Sequence, residues 1–470
     1  MDRQALARHV RRAGRTPLWL TLDAPLVPIE TLLKHPEARA AWAPALRADD
    51  TPIGGAEQFV AIGAARVFTA AGENRFASMR EQTQAVLASL QREALHGAPE
   101  LEPRCVGGFA FQCGRARLDP WTAFGEAQFI LPRLMYTRFE TTAALSVVIP
   151  TEADAAEQAL EQALSLRDEL AVLNPKPLAA QLRSDDALAH CTHSEVVGVP
   201  QWTQLVTAAL REIATGAVRK IVIARRTTNH FDTPISVARS FAELGAGRAS
   251  STRFMFRAGQ HSFLGVTPER LIKKSGLELS TEALAGTFRL ARSQLATELL
   301  RSPKEHEEHR PVVAAIVEHL QPFTKRLTYP SDPVLTELPQ LLHLRTPIQG
   351  ELAAPCHILD LVEALHPTPA VGGQPSAPAL GWIAANEAHE RGWYAGPVGW
   401  FNPEGDGEFV VALRSGVVRG NRVDLYAGAG IVHGSDPSSE YDETELKFGA
   451  LASALCKDDQ ASEAQRASAE

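Results

Sequence analysis

The chain has 470 residues, 45% hydrophobic and 22% charged, with 47 lysines and arginines against 55 acidic residues and a net charge of −8. That composition fits a soluble globular protein with a sizeable core and excludes a disordered or fibrous chain. The acidic balance argues against a nucleic-acid binder, so an anionic ligand would need a local basic site. The five cysteines (Cys105, Cys113, Cys191, Cys356, Cys456) are widely spaced with no CxxC or zinc spacing, which fits a reducing compartment. No apolar run approaches the roughly 20 residues of a membrane span, and the N-terminus lacks a signal-like apolar core, so the expected location is the cytoplasm, with no membrane partner.

Residues 1–195 read as short strands ("LWLTLDAPL", "GEAQFILPRLMYTRF", "ALSVVIP") interspersed with helices such as "RFASMREQTQAVLASLQREAL". "CVGGFAFQCG" has the glycines and aromatics of a tight strand pair. The proline-bearing polar stretch 173–200 marks a boundary between an N-terminal α/β region, 1–195, and a second region, 196–456; the polar tail 457–470 is expected to be disordered. Beyond the boundary a helix, "QWTQLVTAALREIATG", ends at Gly216 and leads into the apolar strand "KIVIAR". "HSFLGVTPERLI" reads as two strands about a turn at Thr267-Pro268, and "LELSTEALAGTFRL" as a strand ending in a glycine turn.

The next helix, "SPKEHEEHRPVVAAIVEHL", places Glu305, Glu308 and His309 on the same third of its surface as the apolar Val312, Ile316 and Leu320. Carboxylates aimed at a core demand a cation, because an unpaired buried charge is costly. Pro311 removes a backbone bond and clashes with the preceding turn, so a kink or break is expected just after Glu308. The last helix, begun by Asp436 as N-cap and Pro437, repeats the pattern with Glu440, Glu443 and Lys447 on one face with Leu451. On an isolated helix Glu443 and Lys447 would be an ordinary surface pair; two helices with inward carboxylates suggest instead Mg²⁺, held through Glu308 and Glu443 with Glu305 and Glu440 behind them through water.

"YAGAGIVHGSDP" imitates a dinucleotide fingerprint, but the chain after Gly434 is too short to complete a nucleotide-binding unit. Its glycines can instead form a loop offering backbone N–H groups to a carboxylate. Arg414, on the strand "FVVALRSGVV", would clamp that carboxylate.

In order, "KIVIAR", "TPERL", "EALAGT", "SPKEHEEH", "LHL", "LHPTPAVGG", "GWYAGP", "ALRSG", "AGAGIV" and "EYDETELK" resemble the motifs of the chorismate-utilising enzymes, over about residues 200–455, and within that family most resemble isochorismate synthases. The resemblance implies a large two-sheet α/β sandwich with helices outside. It also implies Mg²⁺ as cofactor and chorismate as the small-molecule partner. Lys220 resembles the general base that activates water and Glu269 the general acid that protonates the departing hydroxyl. Glu308 and Glu443, with Glu305 and Glu440 close by, resemble the metal ligands. Gly286, Thr287, His343, Tyr394, Arg414, Gly428, Gly430 and Lys447 resemble substrate contacts. Ala370 falls where salicylate-forming and amine-transferring relatives usually carry threonine.

The chemistry sets its own demands. Water must add at ring carbon C2 while the C4 hydroxyl leaves, which needs a base and an acid across a bound ring. Lys220 acts as base only with a lowered ammonium pKa, and Glu269 must hold its proton. Two rivals remain at this level: a salicylate synthase, which would also eliminate pyruvate, and a non-catalytic chorismate-binding regulatory relative. No helical seam is evident, so a monomer is the simpler expectation and a dimer the alternative.

Overall fold

The computed structural model describes residues 16–43, 57–95, 97–173, 189–245, 251–289, 303–338 and 341–455. The tail 457–470 and most of the proline-bearing stretch lie outside the described residues. Among the described residues two sheets, of thirteen and ten strands, carry the fold, with helices against them. Both sheets draw strands from either side of residue 195. Ala38–Ala43 pairs with Thr252–Ala258, Trp42 opposite Phe254, in the larger sheet. Cys105–Phe109 pairs with Pro397–Phe401, Gly107 opposite Gly399, in the smaller. No helix among the described residues is long and apolar enough to cross a membrane.

Strand Lys220–Phe231 runs antiparallel to Arg422–Val432, from Lys220 opposite Val432 to His230 opposite Arg422. Its β-branched run suits a strand covered on both faces, and Ile221, Val222, Ile223 and Ala224 are all buried. Helix Val199–Ala214 packs against these two strands. Trp202, Val206, Ala209 and Ile213 recur at helical spacing as its buried stripe, and Gly216, at φ +83°, closes its end. Helix Pro437–Leu455 lies alongside, where the Trp202 indole donates to the Pro437 carbonyl at 3.0 Å. Asp436 caps it, accepting the Ser439 amide at 2.9 Å.

The chain passes between sheets at short crossings, and two of these matter for function. His261–Thr267 belongs to the larger sheet and Arg270–Ser275 to the smaller, so Pro268 and Glu269 lie between them. Gly407–Val411 belongs to the smaller sheet and Ser415–Arg419 to the larger, which places Arg414 in a crossing rather than inside the expected continuous strand. Main-chain bonds tie the two crossings together: the Val411 amide donates to the Glu269 carbonyl at 3.0 Å, and the Val266 amide to the Arg414 carbonyl at 3.2 Å.

Other expectations change in detail. "CVGGF" is one strand, not a pair: a Cβ on Gly107 would stand 2.0 Å from the Gln128 carbonyl oxygen, so that glycine serves close strand packing. Strand Glu278–Arg289 does not turn at Gly286 but continues past it through a register shift between Ala285 and Thr287. Gly428 and Gly430 sit within strand Arg422–Val432 rather than in a loop, and the turn falls later, at Gly434 with φ +82°. Helix Pro303–Leu320 runs unbroken through Pro311. Its packing explains this: His309, Val312, Ile316 and Leu320 are buried, and His309 Nε2 pairs with Thr346 Oγ1 at 2.7 Å, holding both sides of the proline to the smaller sheet.

Candidate active site

Where the two crossings meet the ends of Lys220–Phe231 and Arg422–Val432, a cavity of about 200 Å³ opens. Lys220, Glu269, His343, Ala370, Tyr394, Arg414, Gly428, Gly430, Glu440, Glu443 and Lys447 all line it. Thr287 lies opposite His343 in the ladder between Glu278–Arg289 and Leu341–Leu352, with Gly286 at the register shift beside it. Glu305 and Glu308 lie on helix Pro303–Leu320, and their side chains, like that of Thr287, fall outside the described residues.

Lys220 is the first residue of its strand and reaches the cavity past Gly430. A Cβ at 430 would stand 2.8 Å from Lys220 Cε and 3.3 Å from Nζ, so the glycine makes room for the ammonium arm. Glu269 is 5% exposed. Burial, reinforced by the negative charge of Glu282 and opposed by Lys220 and Lys447, pushes its pKa up to about 8, so it carries a proton at neutral pH.

Arg414, at φ +46°, holds a conformation uncommon for a residue with a Cβ. Its guanidinium donates to His343 Nε2 at 3.2 Å. Since arginine only donates, that imidazole nitrogen accepts. Ala395, at φ +60°, shares the left-handed conformation and the cavity wall, and its amide donates to the Ala412 carbonyl at 2.9 Å. Tyr394 stacks on Tyr426 with ring centroids 5.3 Å apart, and the Trp121 indole donates to the Tyr426 hydroxyl at 3.1 Å.

On helix Pro437–Leu455, Lys447 Nζ lies 2.6 Å from Glu443 Oε1 and donates to the Gly428 carbonyl at 2.8 Å. The i,i+4 pair thus exists, turned toward the cavity. Arg225 fixes the helix along an adjoining face: its Nε donates to Thr444 Oγ1 at 2.7 Å, a second nitrogen pairs with Glu445, and the guanidinium sits 3.9 Å from the centre of the Tyr441 ring. Across the strands, the Val222 amide donates to the Gly372 carbonyl at 2.9 Å and the Ala224 amide to Glu387 Oε1 at 2.7 Å. Their ladder partners Gly430 and Gly428 are therefore non-hydrogen-bonded pairs, whose amides face away from Lys220–Phe231 where strand Ser415–Arg419 no longer covers them.

Sequence reasoning missed Arg391, Glu387, Tyr426 and Glu282. Arg391 lines the cavity, pairs with Glu387 at both carboxylate oxygens, and donates to the carbonyls of Val371 at 2.9 Å and Val222 at 2.7 Å. Glu387 and Arg391 follow the end of helix Ser376–Asn386, so their four-residue spacing is not a helical one and gave no local signal.

The family model described as "Chorismate binding enzyme" matches residues 52–456. The chain belongs to the chorismate-binding enzymes. It is 37% identical to the "Salicylate biosynthesis isochorismate synthase" of Pseudomonas aeruginosa over 84% of this chain and 82% of that protein. It is 34% identical to the "Isochorismate synthase MenF" of Bacillus subtilis over 75% of this chain and 74% of that one. Among solved structures, MenF, the menaquinone-specific isochorismate synthase of Escherichia coli, superposes with a TM-score of 0.76 at 29% identity, covering 96% of this chain and 98% of that one. Anthranilate synthase component I from Streptococcus pneumoniae, at 18% identity and a TM-score of 0.69, shares the fold. The two-sheet α/β architecture is thus that of the chorismate-utilising enzymes.

Proposed function

We propose that this chorismate-binding enzyme is a Mg²⁺-dependent isochorismate synthase, converting chorismate to isochorismate by addition of water at C2 and loss of the C4 hydroxyl. The observation that carries the reading is one cavity lined by a lysine amine, Lys220, and a buried carboxyl, Glu269, whose pKa of about 8 keeps it protonated at neutral pH. Lys220 takes a proton from the attacking water, which it can do only as the neutral amine, and Glu269 gives its proton to the departing hydroxyl. One water adds and one leaves, so the sum is an isomerisation. The step ends with an ammonium at Lys220 and a carboxylate at Glu269, an opposite-charge pair in a site of low dielectric, and proton exchange with solvent restores both.

Chorismate carries two carboxylates. Arg414, Lys447 and the outward amides of Gly428 and Gly430 form a cationic and hydrogen-bonding wall for one of them. Tyr394 and Tyr426 supply an apolar, stacked flank for the ring. Glu443, in the cavity wall, and Glu308, on helix Pro303–Leu320, would supply hard oxygen donors of the kind Mg²⁺ takes, with Glu440 and Glu305 behind them through water. Bound there, the ion would neutralise the other substrate carboxylate and hold the ring in place.

The name of the Pseudomonas aeruginosa relative ties its activity to salicylate biosynthesis, yet it names an isochorismate synthase. Ala370 leaves a methyl group rather than a hydroxyl at the cavity wall, which supports formation of isochorismate without pyruvate loss. Incubating the protein with chorismate and Mg²⁺ tests the reading. Isochorismate without pyruvate is expected, and Lys220→Ala should abolish it while chorismate still binds. Pyruvate released without an added lyase would make it a salicylate synthase. Bound but unturned chorismate in both proteins would make it a regulatory relative.

A further inference from the structure

Glu282, in strand Glu278–Arg289, is buried, and its two carboxylate oxygens serve different masters. Oε1 accepts the amide of Arg270, the residue directly after Glu269, at 3.1 Å. Oε2 accepts Arg345 Nε at 2.5 Å. The Arg270 side chain turns elsewhere, donating to Glu408 Oε1 at 2.8 Å. Glu282 therefore holds the main chain of the sheet crossing and not merely an arginine side chain. An uncharged acceptor would satisfy the Arg270 amide equally well, and the charge that pairs with Arg345 has a second use.

The charges around Glu269 supply it. Lys220 faces the carboxyl from strand Lys220–Phe231, Lys447 from helix Pro437–Leu455, Tyr394 from the segment after Arg391, and Glu282 from its own strand. Lys447, and Lys220 whenever it is protonated, favour the ionised form of Glu269 and so work against its use as an acid; Glu282 is the carboxylate that opposes them. Arg345, partly exposed at the far side of Glu282, moderates that opposition.

We propose that Glu282 is a positioning residue for Glu269: it fixes the crossing that carries the acid and, through its negative charge, keeps the proton on Glu269 beside two lysines. The inference rests on the acid role assigned to Glu269 above and deepens it. Arg345 sets the strength of the effect.

The test reads the proton itself. The infrared carbonyl stretch of a protonated carboxylic acid, assigned by its loss in Glu269→Gln, is titrated in the whole protein. The parent band should disappear with a midpoint near pH 8. Glu282→Gln keeps an oxygen for the Arg270 amide and should move the midpoint down by about one pH unit. Glu282→Asp, which keeps the charge, should leave it near the parent value, and Arg345→Gln should move it up. An unmoved midpoint in folded Glu282→Gln overturns the inference; should that variant not fold, an unmoved midpoint in Arg345→Gln overturns it instead. Turnover in Glu269→Gln is a separate readout: if activity survives there, the acid assignment falls, while the band still decides whether Glu282 governs the proton.

Discussion

Gly430 and Lys220 are complementary: the Cβ that Gly430 lacks would stand 2.8 Å from Lys220 Cε, within the space the lysine needs to reach the cavity. Gly430→Ala should therefore displace the amine while leaving the sheet intact, because the atoms that must yield are the far end of a flexible side chain. A displacement near 1 Å at a reacting group lowers turnover by about 100-fold. Steady-state kinetics should show that loss in kcat, with the thermal unfolding midpoint close to the parent's.

Glu269 gives a prediction with a sign. Its pKa rises from an ordinary value of 4.5 to about 8 on folding, so between those pH values the folded state binds more protons than the unfolded one. Stability contributed by this group is complete below about pH 4.5 and is lost as pH rises through about 8. Glu269→Gln removes that loss. The variant should lose about 100-fold or more in activity, yet its thermal unfolding midpoint should gain on the parent's progressively from pH 5 to pH 8. A stability difference that stays flat with pH would show that the carboxyl is not buried as described.

Arg225 is 1% exposed and holds helix Pro437–Leu455 through Thr444, Glu445 and Tyr441, on the face next to that of Glu440, Glu443 and Lys447. Arg225→Met should destabilise the fold by about 3 kcal/mol, the low end for breaking a buried pair, because Glu445 is half exposed. Urea unfolding measures this. Substrate affinity should fall as well, since Lys447 shares the helix.

How much of this was legible depended on the range of the interactions. The inward faces of the two acidic helices were readable because a period of 3.6 is local, and His309, Val312, Ile316, Leu320 and Leu451 are buried as that period requires. The ordered motifs placed Lys220, Glu269 and Lys447 in one family, and the structure brings all three to one cavity. Arg414 was misplaced because "FVVALRSGVV" has strand-forming residues on both sides of the arginine; only pairing partners far along the chain reveal that the sheet changes there. Gly286 and Gly428 read as turn glycines because glycine marks turns, bulges and close approaches alike. Pro311 was read from local sterics, which the packing of the surrounding helix overrode. Glu282 escaped notice because its partner, Arg345, is remote in sequence; Arg391 has a near partner in Glu387, but its bond to the Val222 carbonyl, which ties it to the cavity strand, is long-range.

Lys447 already holds Glu443 at 2.6 Å, so a divalent ion arriving at Glu443 must share that carboxylate or displace the ammonium. Glu443→Gln should weaken Mg²⁺ binding by about 10-fold or more in direct titration calorimetry, since losing a ligand carboxylate costs at least as much as losing an outer-shell partner. Chelation of the metal should abolish turnover in the parent, and added Mg²⁺ should restore it. Equal Mg²⁺ affinity in the variant and the parent would remove Glu443 from the ligand set.

The central claim, that an amine and a protonated carboxyl across one small cavity exchange one hydroxyl for another by way of water, is tested most directly by isotope. Chorismate is turned over with Mg²⁺ in water carrying a heavy oxygen label, and the isochorismate is examined by mass spectrometry and NMR. The account requires the label in the C2 hydroxyl of the product. Unlabelled isochorismate would mean that the hydroxyl migrates without leaving the substrate, and would contradict it.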